Sequence, residues 1–281
     1  MSNKDLLTNI KKLRELTGVG FKDCKLAIDE TNGNIEKSIE FLRKKGIAKA
    51  SKKMSRTASE GLALVNQKDG EISIIEVNSE TDFVAKNKDF IYFCKEISEI
   101  CFAQKAKLEN INSSKMKNNI SVKDNLVDLI AKIGEKITIR RSQFFDKSNG
   151  INFCYVHSAI EKNIGKIISI VKLESNGKDD LQIGSKLAMH IAASNPLSID
   201  KNDLNPEVLK KELEIIKAEL INSGKKPEMI EKISQGKLNK FISENTLLNQ
   251  EWIMDPKSKV SDVLKGHKII DFIRYKVGEG V

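Results

Sequence analysis

Aromatic residues make up only 5% of this 281-residue sequence, and most of them are Phe. A surface that stacks nucleic-acid bases on aromatic rings is therefore not expected. No Cys-x-x-Cys pair occurs, and the three histidines, His157, His190 and His267, lie far apart, so no zinc site is expected. No stretch approaches the roughly 18 apolar residues of a membrane span. The N-terminus, Met1-Ser2-Asn3-Lys4-Asp5, has no apolar run of the kind a signal peptide needs. Phosphate-binding glycine patterns are missing as well: there is no Gly-x-x-x-x-Gly-Lys, and Gly18-Val19-Gly20 lacks the third glycine and the preceding strand of a dinucleotide fingerprint. Neither a Gly-x-Ser-x-Gly elbow nor a His-Glu-x-x-His pair is present. No local pattern joins a nucleophile to a base, which moves the expectation from an enzyme with a cofactor towards a binding protein with none.

What is present is a mixed, basic, globular composition. Apolar residues are 40% and charged residues 31%, which a disordered chain would not combine. The length exceeds one domain of about 100–150 residues. Lys and Arg number 48 against 39 Asp and Glu, and the net charge of +9 suits an acidic partner. The densest basic run, Lys44–Arg56, reads most simply as a solvated linker. Cys24, Cys94, Cys101 and Cys154 are expected to be reduced, mostly buried thiols of a cytoplasmic protein.

Residues 4–45 read as three short helices. Leu6, Leu7, Ile10, Leu13 and Leu16 have helical spacing up to Thr17-Gly18; Cys24, Ala27 and Ile28 lie on a second helix stopped by Asn32-Gly33; Ile35, Ile39 and Leu42 face a third that closes at Gly46. Leu62–Val65 and Ile72–Val77 read as strands around the turn Lys68-Asp69-Gly70. A helix is predicted at about 88–104, a polar loop over Lys105–Asn119, another helix near 121–132 ending at Ile133-Gly134, and a strand over Lys136–Arg141. Strand, turn, strand and helix then recur, so that Leu62–Ala103 is echoed by Phe153–Ala193, an internal duplication. Leu209, Leu213, Ile216 and Leu220 follow coiled-coil spacing, and Pro227 opens a second helix that continues towards Phe241, so an antiparallel helical hairpin is expected before a final strand at Ile269–Val277. The fold class is α+β.

Several segments, in order along nearly the whole chain, carry a resemblance. They are Leu13–Gly20 with Asp23-Cys24-Lys25 and Asn32–Glu36; Glu76-Val77-Asn78 with Thr81–Asn87; Ala131–Glu135 with Ile139-Arg140-Arg141; Met189–Ser194 before Pro196; Met254-Asp255-Pro256; and Val277–Gly280. Together they resemble the elongation factor Ts family. The resemblance implies an N-terminal three-helix module similar to ubiquitin-associated domains (1–50), a basic linker (51–57), a two-part α+β core (58–148, then 149–198 with 237–281) and a protruding helical hairpin (199–236). Some members carry a further helical module after the segment matching Val277–Gly280. Ser158–Glu161 stands where members usually show small, glycine-rich residues.

The implied activity is guanine-nucleotide exchange on elongation factor Tu, with no direct nucleic-acid binding and no membrane association. Read from the residues alone, Asp82 is a turn or cap residue and Phe83 a core residue. The resemblance reverses that reading: Thr81, Asp82, Phe83 and Val84 become the segment that dislodges the partner's magnesium. His157, alone a partly buried histidine, becomes a partner contact, and so do Ile133-Gly134, otherwise a helix end, and Ile253-Met254, otherwise core. Lys25 lies on the module that grips the GTPase. His190 and Trp252 are read as structural. The competing class is a basic RNA- or ribosome-binding protein, favoured by net charge and opposed by the scarcity of aromatics.

Overall fold

The computed structural model describes residues 3–17, 19–175 and 180–281, leaving aside the side chains of residues 3, 4, 47–49, 51 and 52. The helix stop expected at Gly18, and the side chains of Lys49 and Lys52 in the basic run, therefore lie outside the described residues. The module consists of α1 (Asn3–Thr17), α2 (Phe21–Glu30) and α3 (Ile35–Lys53). Ile10, Leu13, Cys24, Ala27, Ile28 and Leu42 form its own small core.

Two strands of equal length follow, β1 (Glu60–Lys68) and β2 (Glu71–Ser79), joined at Asp69 and Gly70, both with positive φ as a tight hairpin turn needs. The next elements are α4 (Asp82–Ala85), α5 (Lys88–Ala103), α6 (Leu108–Ser113), α7 (Val122–Ile133) and β3 (Ile137–Phe145). The second half contains β4 (Ile151–His157), β5 (Ile164–Gly165), β6 (Ile167–Glu174) and α8 (Asp180–Ser194). The hairpin is α9 (Pro206–Asn222) and α10 (Pro227–Asn245), and the chain closes with β7 (Glu251–Trp252), β8 (Asp255–Lys259), α11 (Val260–Val263) and β9 (Lys268–Lys276).

The sheets run in the orders β3-β2-β1-β5 and β4-β6-β9, every pairing antiparallel. Both faces of the β1–β2 ribbon are buried, which explains its near-continuous apolar run. Leu62, Leu64, Ile75 and Val77 face α5 and α7, whereas Ala63, Val65, Ile72 and Ile74 meet Ile168, Ile170 and Tyr275 of the second sheet. On the far side Phe153, Val171 and Leu173 pack on Leu187 and Ile191 of α8. The core is thus helix, sheet, sheet, helix. A carboxylate sits inside it. Glu76 is fully buried and accepts from Arg140 at 3.0 Å, Arg141 at 2.5 Å, Asn78 at 3.0 Å and the Gly278 amide at 2.9 Å. Burial pushes this carboxyl up, but the Gly278 amide and Arg141 outweigh it and hold it below the usual carboxylate range.

Two expectations change. The third helix does not close at Gly46 but runs on to Lys53, past the boundary of the expected linker. Gly46 lies against α7, where an added Cβ would stand 3.2 Å from the Ala131 Cβ, so glycine here marks close helix packing and not a stop. The segment Lys105–Asn119 is not all loop, because α6 lies within it and buries Ile111. The second helix of the hairpin runs past Phe241, as expected, and ends at Asn245. The small β7–β8 hairpin and α11 were not anticipated. The hairpin's seam is as expected, with Ile216 and Leu220 buried and Lys217–Glu231 (2.8 Å) and Lys237–Glu219 (3.2 Å) pairing across it.

Candidate functional site

The turn after β2 divides its side chains between inside and outside. Successive positions of a helix are about 100° apart, so the four residues of α4 cannot all face the core. Val84 and Ala85 take the inner side and join the first core. Phe83 is left outside at 79% exposure, which excludes the core role read from residues alone. Asp82 accepts a hydrogen bond from Lys86 Nζ at 2.7 Å, and that bond and charge hold its carboxyl below the usual range.

The same turn is tied to the end of α7. The Thr81 amide donates to Glu135 Oε2 at 3.0 Å and its hydroxyl to Oε1 at 2.8 Å. In the opposite direction the Lys136 amide donates to Glu80 Oε1 at 2.6 Å. Burial pushes Glu80 up, but that amide and Arg56, 3.2 Å away, hold the carboxyl below the usual range. Lys136 Nζ donates to the Arg56 carbonyl at 2.7 Å, and Lys53 Nζ donates to the Gly134 carbonyl. Gly134 ends α7 at φ 88°, the left-handed conformation that glycine adopts without strain. The structure therefore ties the turn that carries Asp82 and Phe83, through Glu80 and Thr81, to Glu135 and Lys136, the residues directly after Ile133 and Gly134, although the two segments are far apart in sequence.

His157 stands exposed at the end of β4, contrary to its reading as a partly buried group. Its Nδ1 lies 3.3 Å from the Tyr155 hydroxyl. It pairs in register with Ile167, whose neighbour Lys166 meets Glu60 at 2.5 Å, and Glu60 in turn lies opposite Ser79 at the start of the Thr81 turn. Ile253 and Met254 are both exposed at the tip of the β7–β8 hairpin, not in the core. Beneath them His190 is buried and stacked on Trp252 with ring centroids 5.2 Å apart. Gln250 Nε2 donates to the Ser194 and Glu244 carbonyls, which leaves its Oε1 to accept from His190 Nε2 at 2.9 Å and His190 Nδ1 to accept from the Ile253 amide at 3.4 Å. Burial lowers the His190 pKa, which suits this neutral tautomer. Lys25 is exposed on α2. Among the described residues no hydrogen bond or ion pair joins Lys25 or the Ile253–Met254 tip to the Thr81 turn.

Sequence reasoning missed the residues that hold the turn, namely Arg56, Glu80, Glu135 and Lys136. Their partners lie 24 to 80 positions away along the chain across the strand order, where no spacing rule reaches. The one local signal was an acidic residue directly after a helix-ending glycine. Among the described residues, no group of three His, Cys, Asp or Glu side chains converges as metal ligands, and no helix is long and apolar enough to cross a membrane.

The architecture is that of an α+β protein with a three-helix module, a two-sheet core and a long helical hairpin, displaying a phenylalanine on a charged turn. A family model described as "Elongation factor TS" matches residues 80–279. The chain is 43% identical over 284 residues to the elongation factor Ts of Rickettsia prowazekii (strain Madrid E), covering 97% of this chain and 91% of that protein. It is 40% identical to the elongation factor Ts of Rickettsia felis, with the same coverage, and 40% identical to that of Nitrobacter hamburgensis, covering 97% of this chain and 92% of that one. The chain belongs to the elongation factor Ts family of translation factors.

Proposed function

We propose that the chain is a guanine-nucleotide exchange factor that binds GDP-loaded elongation factor Tu, displaces its magnesium ion and promotes release of GDP, with no covalent chemistry of its own. The observation that carries this reading is the 79% exposure of Phe83 on a turn whose next two residues are buried. An apolar ring held out in this way is poised to enter a partner's packed interior. Asp82 beside it supplies a carboxylate that disturbs the waters around the partner's magnesium. Magnesium is held largely by waters, a few protein oxygens and phosphate, so a small displacement weakens it. The phosphate charge it had neutralised is then exposed, and GDP loosens.

Thr81 and Val84 anchor this segment. Ile133, Gly134, His157, Ile253 and Met254 serve as further contacts with the partner, and Lys25 serves on the module of residues 1–50, which grips the GTPase domain. Reciprocity follows: whatever factor the chain takes from nucleotide affinity, nucleotide takes from the affinity for the chain. Such a role places the protein in the cytoplasm, where translation elongation runs. The direct experiment loads elongation factor Tu with fluorescent GDP, adds excess unlabelled GDP and a substoichiometric amount of this protein, and follows release. Many-fold acceleration is expected; release at the intrinsic rate refutes the proposal.

A further inference from the structure

Under Asp82 and Phe83 lies a pair of half-buried carboxylates, Glu80 and Glu135. Each accepts from the backbone next to the other: Glu135 binds the Thr81 amide and hydroxyl, and Glu80 binds the Lys136 amide. We propose that Glu135 is a positioning residue that sets the orientation of the Phe83-bearing turn and couples it to Ile133–Gly134, so that both meet the partner as one rigid unit. This inference rests on the exchange-factor reading and adds to it a residue that need not touch the partner.

Three observations carry it. First, α4 is a single turn, too short to be stable by itself, because the first helical turn fixes several dihedrals for one bond. Second, Thr81 is its N-cap yet makes no capping bond to α4; its hydroxyl and its amide both go to Glu135. Two donors on one residue held by the two oxygens of one carboxylate resist rotation as a single bond would not. These bonds are also charge-assisted, the stronger kind. Third, the clasp continues through Arg56 to Glu80, Lys136 Nζ to the Arg56 carbonyl and Lys53 to the Gly134 carbonyl. It therefore ties the end of α3, the Phe83 turn and the end of α7 into one node.

The test uses the full-length chain and GDP release from elongation factor Tu, measured against factor concentration to separate maximal rate from half-saturation. Wild-type protein that fails to accelerate release refutes the exchange reading and the clasp with it. Given an active wild type, Glu135→Gln, which removes the charge and sets an NH2 group where one acceptor oxygen stood, is expected to lower the maximal rate about tenfold, as loss of a charge-assisted bond implies. Half-saturation should stay unchanged, and the melting temperature should fall by only a few degrees, which leaves the protein folded at the assay temperature. Phe83→Ala should then cost far less in the Glu135→Gln background than in wild type. Thr81→Val, which removes the hydroxyl donor, should mimic Glu135→Gln, and Thr81→Ser, which keeps both donors, should lose less than Thr81→Val; this pair carries the test if Glu135→Gln does not fold. The proposal is overturned if Glu135→Gln exchanges at the wild-type maximal rate. It is equally overturned if the loss only tracks the unfolded fraction, or if Phe83→Ala costs the same in both backgrounds.

Discussion

Truncating Phe83 to Ala separates surface from core in one pair of measurements. At 79% exposure about one-fifth of the side chain is covered. A Phe side chain offers about 200 Å², so roughly 40 Å² returns to water. At about 25 cal/mol per Å² that is near 1 kcal/mol. A core Phe truncated to Ala would cost about 3–5 kcal/mol. For a chain of this size each kcal/mol moves the melting temperature by roughly 2–4 °C. The variant should therefore melt no more than about 4 °C below wild type. Its rate of GDP release from elongation factor Tu should nonetheless fall steeply, and chelating magnesium should narrow the gap, since the metal is what the wedge acts upon. Differential scanning fluorimetry and fluorescent-GDP release on the same preparation supply both numbers. A melting temperature far below wild type together with normal exchange per folded molecule would refute the reasoning.

Removal of the Glu76 charge by Glu76→Gln leaves Arg140, Arg141 and the Gly278 amide without their anion and should cost about 3 kcal/mol in urea unfolding, the lower end for a broken buried pair because both arginines are partly exposed. Since the folded pKa of Glu76 is depressed, the stability it contributes is present above the unfolded carboxylate value of 4.5 and is lost as pH falls below it; Glu76→Gln should flatten that part of the profile, and an unchanged acid limb counts against the assignment. Deleting residues 1–44 should leave the core folded and weaken binding to elongation factor Tu in a pull-down, whereas deleting 1–53 should also lower the melting temperature, because Ala50 packs in the first core and Lys53 holds the Gly134 carbonyl. Equal melting of the two deletions would contradict this. Joining Leu213 to Leu238 through a short Gly-Ser turn removes the outer part of the hairpin and should preserve cooperative melting of the core, checked by calorimetry.

The parts of the fold that were legible in the sequence are those where a local rule acts. Lys68-Asp69-Gly70 announces its turn because Asp and Gly tolerate positive φ, and the four-three-four spacing of Leu209, Leu213, Ile216 and Leu220 announces the hairpin seam. Gly46 misled because the same residue that stops helices also lets them touch, and only the facing Ala131 tells which. Helix α6 was hidden because Leu108 and Ile111, three apart in a polar stretch, make too short a pattern to count. At the site, residue type alone put Phe83 inside; resemblance put it outside, and exposure agrees with the latter. Glu135 and Glu80 were invisible for a different reason, since their significance lies in a pairing across more than fifty residues. Glu76 did leave a trace: a lone carboxylate in Ile74-Ile75-Glu76-Val77 must find partners if that run is buried.

The two-residue strand β5 has a consequence for how the chain comes off the ribosome. Ile164 and Gly165 belong by sequence to the second repeat, yet they lie along β1 opposite Leu64 and Ala63, and the Val65 amide donates to the Asn163 carbonyl at 3.0 Å. Until residue 165 has been synthesised and released from the exit tunnel, β1 stands as an open edge in a strongly apolar stretch, the kind of edge on which neighbouring nascent chains can pair. The second repeat thus shields the first, and a fragment ending at residue 148 would carry that unshielded edge permanently and be prone to self-association.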